Sequence, residues 1–259
     1  MSHFSVAVFS DGISVDALLE PYQENNMGTV CDDYLEFVDI EDESRWEYEH
    51  NSITMVKLPN GNLVHRWDEE SKQEGALNVE VYHKDIYATF DEFMNDYKCA
   101  EKDRVTGKYG YWENPNAKWD WWDIGGRFGG WKGVAEGKVE DFDFTPDEDD
   151  YNKAIRFWEL VVEGQPLKED EKMPFNIYKP EYFIKRYGDK ETYATINSQF
   201  TTFAVITPDG EWHEPGTMGW FGCSSDTPEE GLAWDLNYKE RFIETADPEW
   251  YLTIVDCHI

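Results

Sequence analysis

Basic residues are scarce in this chain of 259 residues: 23 Lys and Arg stand against 55 Asp and Glu, a formal net charge of −32. A field of that sign repels nucleic acid and anionic membranes and favours basic partners. Direct nucleic-acid binding is therefore not expected. Long hydrophobic runs are also missing. No stretch approaches 18 consecutive apolar residues, so no membrane span is expected. The opening MSHFSVAVFSDG has neither a basic region nor a long apolar segment, so it reads as a first strand and not as a secretory signal. That points to a cytoplasmic protein. Only four cysteines occur, Cys31, Cys99, Cys223 and Cys257, and none forms a CxxC pair. Free thiols are expected rather than a disulfide framework. HxH and HExxH spacings are absent, so neither a metal nor a cofactor is expected. No serine sits in a nucleophile elbow.

What is present is a core. Aromatics make up 16% of the chain and hydrophobics 40%, enough to exclude wholesale disorder. FSVAVF, residues 4–9, suits a buried strand, and Ser14 caps a short helix that Pro21 ends near Glu20. Residues 24–49 read as solvated acidic surface, with a short strand near Tyr34–Val38. ITMVKLPNGNLVHRW, residues 53–67, carries a hairpin signature at Pro59-Asn60-Gly61, and 79–87 suit another strand. Thr89 and Glu92 form a capping box before a helix. Pro146 and the acids after it suit the first turn of a helix running to about Glu163, and 180–197 look helical. Towards the end, TTFAVITPDGEWHE reads as strand, turn, strand. A helix of about 16 residues starts near Thr227-Pro228, and WYLTIVDCHI closes as a strand. These elements predict one compact α+β domain over 1–259. Its sheet is mainly antiparallel, has the first and last strands at the chain ends, and is packed by several helices. Residues 136–180 look like an acidic insertion.

Two places concentrate chemistry. Residues 107–133, GKYGYWENPNAKWDWWDIGGRFGGWKG, hold five of the twelve tryptophans and seven of the nineteen glycines. Between Glu101 and Ala135 six Lys or Arg stand against five Asp or Glu, so this part is the least hostile to an anion. Trp119, Asp120, Trp121, Trp122, Asp123, Gly125, Gly126 and Arg127 are the candidate ligand-binding residues. Glycine amides can form an anion nest, Arg127 can clamp the anion, and Trp121 or Trp122 can stack on a base or sugar. Alternatively, the tryptophans are core and Arg127 only pairs with Asp120 or Asp123. The second place is the C-terminal strand. Residues two apart share a face, so Asp256 and His258 lie together. With His213 and His3 on strands that suit neighbouring positions, they are the candidate acid–base residues. Cys257 points the other way.

SHFSVAV with LLEPYQEN, the central NPNAKWDWWDIGGR, and PDGEWHEPGTMGWFG with LTIVDCHI together resemble a family of uncharacterised proteins from bacteriophages and bacterial mobile elements. The resemblance implies a phage-like origin and no established activity. With the charge, it suggests a binding protein rather than an enzyme. Such a protein would inhibit a host defence or nucleic-acid-handling factor by DNA mimicry, its partner a basic host protein or nucleic-acid-binding complex. The alternative is a nucleotide-binding or small-anion-binding protein, or a hydrolase, with its site at Trp119–Arg127.

Overall fold

In the computed structural model, which describes residues 2–259, the apolar runs from the two ends of the chain lie side by side. The chain opens with β1 (His3–Ser10) and α1 (Val15–Leu19). There follow β2 (Glu36–Asp39), α2 (Glu41–His50), β3 (Ser52–Lys57), β4 (Leu63–Val64), β5 (Leu77–Tyr82), α3 (His83–Ile86) and α4 (Phe90–Glu92). A π-helical turn (Phe93–Tyr97), β6 (Glu101–Lys102) and β7 (Tyr109–Glu113) complete that stretch. Then come β8 (Trp121–Ile124), β9 (Glu136–Lys138), α5 (Glu148–Val161), α6 (Pro180–Tyr187) and α7 (Lys190–Ser198). β10 (Ala204–Ile206), β11 (Trp212–His213), α8 (Pro228–Tyr238) and β12 (Tyr251–His258) finish the chain.

The fold is α+β with mostly antiparallel pairing, as expected. Its main sheet runs β11-β10-β1-β12-β8, with β9 also on β12, and only β1–β10 is parallel. Side chains alternate across a strand, so β1 divides its residues between two cores. Phe4, Val6 and Val8 join Val255, Cys257, Leu18, Leu19 and Trp119 on one face. Ala7 and Phe9 join Leu252, Ile254, Trp234, Tyr238 and Phe242 on the other. With both faces covered there, the strand is continuously apolar from Val6 to Phe9 rather than alternating with polar residues. Each fully buried Val, Leu or Phe contributes about 1.5–3 kcal/mol. α8 shows the full capping box of Thr227 and Glu230 with Pro228 in its first turn, and a π-helical turn (Lys239–Ile243) extends it.

Where the sequence reads as one domain, the chain gathers into two compact units, Met1–Val30 with Asn116–Ile259, and Cys31–Pro115. The inserted segment is thus 31–115. The acidic 136–180 stretch is part of the first unit: β9 pairs with β12, and α5 buries Ala154, Trp158 and Leu160. Its charge sits on the exposed side of that helix, which composition alone cannot distinguish from an insertion.

The second unit holds two small antiparallel sheets, β2-β7-β6 and β4-β3-β5. The Pro59-Asn60-Gly61 turn joins β3 and β4 as expected. α2 corrects the reading of 24–49 as mostly irregular surface. The helix buries only Ser44, so no apolar period marks it. It is held by three acids in its first turn and by Arg45 bonded to Glu41 at 2.8 Å.

His83 is the polar exception in this unit's core. It is 1% exposed, its Nδ1 has no partner among the described residues, and its Nε2 lies 3.7 Å from Glu47. Burial holds its pKa below the ordinary value. As pH falls below about 6.5, the unfolded chain takes up a proton that the folded one resists, so stability must fall with pH. Denaturant unfolding at pH 7 and pH 5 is expected to show a loss of up to about 1.4 kcal/mol per pH unit. The loss should vanish in His83→Gln; an unchanged pH slope there would acquit this residue.

Candidate active site

The register of three strands assembles a cluster that no local motif announces. β1 and β12 pair antiparallel with His3 opposite His258 and Ser5 opposite Asp256. β12 and β8 pair with His258 opposite Trp121 and Asp256 opposite Asp123. Directly opposed residues share a sheet face. His3, Ser5, Asp256, His258, Trp121 and Asp123 therefore lie on one side, just beyond the apolar part of β1.

Two histidine–carboxylate pairs result. His3 Nδ1 lies 2.9 Å from Asp256 Oδ1, and His258 Nδ1 lies 2.6 Å from Asp120 Oδ1. Asp120 is fixed by its own backbone, whose N–H donates to the His258 carbonyl at 2.9 Å. The two imidazoles stand edge to face with centroids 5.0 Å apart, and Trp121 stacks on His258 at 5.2 Å. A carboxylate at Nδ1 requires that nitrogen to carry the proton. Nε2 is then the atom of each ring left to accept or donate one. Two oriented imidazoles side by side can act as a proton acceptor and a proton donor on one ligand.

Asp256 is the buried anchor, 2% exposed. Its second oxygen accepts the Arg127 backbone N–H at 2.9 Å. The glycine turn exists to permit this approach. Gly126 has φ +41°, and a Cβ on it would fall 2.4 Å from the Asp256 Cβ. Of the amides around Gly125, Gly126, Gly129 and Gly130 expected to form an anion nest, those of Gly125 and Gly129 are already bonded. The amides of Gly125, Arg127, Phe128 and Gly129 are bonded to Ile254, Asp256 and Gly125, so they hold the turn and the aspartate.

The eight central candidates divide. Asp120 and Trp121 join the histidines, while Asp123 is exposed beside them. Trp119 is core: it is 6% exposed and its indole N–H donates to the Leu19 carbonyl. Trp122 packs against the same core, on the face opposite Trp121. Gly125 and Gly126 shape the turn. The Arg127 guanidinium is exposed and makes no ion pair among the described residues, so the alternative, pairing with Asp120 or Asp123, is not seen; Asp120 is engaged by His258.

Among the acid–base candidates, Asp256 and His258 come together with His3, but His213 does not. β11 pairs with β10, which separates it from β1. There His213 Nδ1 accepts from Arg241 at 3.1 Å, and its Nε2 lies 3.3 Å from Thr207 Oγ1. Burial lowers its pKa, and the arginine donor requires the neutral ring. It lines a separate cavity of about 520 Å³ with Phe9, Arg241 and Trp250. Cys257 faces the core, and burial pushes its thiol up, so it offers no thiolate.

The chain matches no protein-family profile, no curated protein and no solved structure. Among the described residues no helix is long and apolar enough to cross a membrane. No group of three or more His, Cys, Asp or Glu residues is arranged there to hold a metal ion.

Proposed function

We propose that the protein is an acid–base phosphoesterase acting on a nucleotide-type phosphodiester through His3 and His258. The observation that carries this is the pair of imidazoles 5.0 Å apart, each held at Nδ1 by its own carboxylate. One neutral Nε2 takes a proton from an attacking water as its oxygen bonds to phosphorus. The other ring, as imidazolium, gives its proton to the leaving oxygen as that P–O bond breaks. The products are a phosphomonoester and an alcohol, and proton exchange with solvent restores both rings. Trp121, 44% exposed beside the pair, offers a stacking face, and Arg127, which makes no ion pair among the described residues, is a nearby cation for the phosphate. Phosphoryl transfer asks little beyond such positioning and charge. The test is the pH dependence of kcat/KM on a dinucleoside monophosphate, whose alkoxide leaving group requires the acid's proton. A bell is expected, one limb from the base and one from the acid; a monotonic profile would remove the two-histidine mechanism.

A second reading rests on the net charge of −32. We propose it as an acidic phage-type protein that occupies the basic groove of a host defence or nucleic-acid-handling factor. Association with such a partner should weaken steeply between low and high salt. Salt-resistant recovery of nucleic acid as the main ligand would remove this reading.

A further inference from the structure

Beside the histidine pair, on the same sheet face, lies a cavity of about 360 Å³ whose lining includes Ser5, Arg186, Ser224, Asp226, Trp234 and Asp235. Ser5 connects the two features: it lines the cavity and lies opposite Asp256. His3 is two residues along the same face, about 7 Å away.

Two polar groups of this cavity are left open, while Ser5, Thr202 and the Arg186 Nη1 have partners. Arg186 Nε and Ser224 Oγ are buried, with no hydrogen-bond partner among the described residues. Leaving such donors unmet costs free energy, and ligand sites are where native proteins retain them. Burial pushes the Asp235 carboxyl up to about 6, against the pull of Arg186. Gly231 in α8 keeps the space clear. A Cβ there would fall 2.6 Å from Asp226 Oδ2 and 3.2 Å from Arg186 Nη2. Glycine inside a helix is destabilising by about 1 kcal/mol relative to alanine, so its use here has a steric reason.

The open groups form two sets. Arg186 and Ser224 offer donors, whereas Asp226 and Asp235 offer acceptors. Their complement is a planar edge with a carbonyl oxygen beside N–H groups, against apolar walls such as Trp234 and Phe203. Guanine presents that edge, with its O6 beside N1–H and the N2 amino group. Adenine presents the reverse, and its N1 lone pair would face a carboxylate. The volume falls in the range of ordinary ligand pockets. We infer that this cavity binds the guanine ring of a guanine nucleotide and presents its phosphoester to His3 and His258. This rests on the acid–base reading of that pair.

Calorimetric titration of the full chain with guanosine 3′-monophosphate and adenosine 3′-monophosphate tests it. The guanine nucleotide should bind at least about tenfold tighter. Asp235→Asn should reduce that preference about tenfold, because an amide presents a donor as readily as an acceptor. Arg186 substitutions risk the fold, so Ser224→Ala is the second probe. It deletes one unpartnered hydroxyl and should weaken guanine binding about threefold with unchanged melting. Equal affinity for the two nucleotides, no binding of either at millimolar concentration, or full affinity in both variants would overturn the inference. Turnover of bis(p-nitrophenyl) phosphate, which has no base, separates the two failures. Turnover without guanine selectivity leaves the histidine mechanism standing and removes the cavity. Selective binding without turnover of that ester or of a guanosine phosphodiester does the reverse.

Discussion

His3→Asn and His258→Asn are each expected to lower kcat/KM on a phosphodiester by about 10²–10⁴-fold. Asparagine is the informative replacement. Its amide N–H can still reach the carboxylate that the imidazole Nδ1 engaged, but it cannot exchange protons at Nε2. Alanine would strip Asp256, 2% exposed, of its ring partner, and an under-bonded buried carboxylate costs about 1–3 kcal/mol on its own. The asparagine variants should therefore melt within about 1 kcal/mol of wild type while losing turnover. The double variant should be little worse than either single one, because groups that act as a unit are not additive. Each single variant should also lose one limb of the pH–rate bell, and the limb lost identifies the acid and the base. Wild-type turnover in both would mean that the pair is only structural.

Gly126→Ala should damage stability and activity together. The new methyl would lie 2.4 Å from the Asp256 Cβ and 2.5 Å from its Oδ2, at a backbone φ of +41° that L-residues disfavour. Strain and overpacking together should cost about 2–4 kcal/mol, read as a lower denaturation midpoint. Because the displaced group is Asp256, His3 loses its anchor and turnover falls as well. Two neighbours serve as controls. Gly129 has φ +64° but open space around its Cβ position, so Gly129→Ala should show only the backbone cost, about 1 kcal/mol. Arg127→Ala keeps the amide that bonds Asp256 and breaks no ion pair among the described residues. It should change stability by less than about 1 kcal/mol while weakening phosphoester binding. A Gly126→Ala protein as stable and active as Gly129→Ala would show that the turn does not position Asp256.

Period and punctuation in the sequence by themselves determined most of the elements. The apolar runs around Val6 and Ile254, the Pro59-Asn60-Gly61 turn, the box at Thr89-Glu92 and the Thr227-Pro228 helix start are local signals set by backbone sterics and cap hydrogen bonds. α2 was not legible, because its exposed charged sequence has no buried stripe to create a period. The site was legible only in halves. Asp256 and His258 share a face by the two-residue repeat, and the Trp-Gly stretch drew attention by composition. Which tryptophan faces solvent was settled by register: Trp121 pairs with His258, so Trp122 must turn to the core. The same register brings His3 to His258 across 255 positions of chain and leaves His213 beyond β10. Such juxtapositions come from long-range strand pairing, which is fixed by burying both faces of β1 at once, and no local window of residues contains that information.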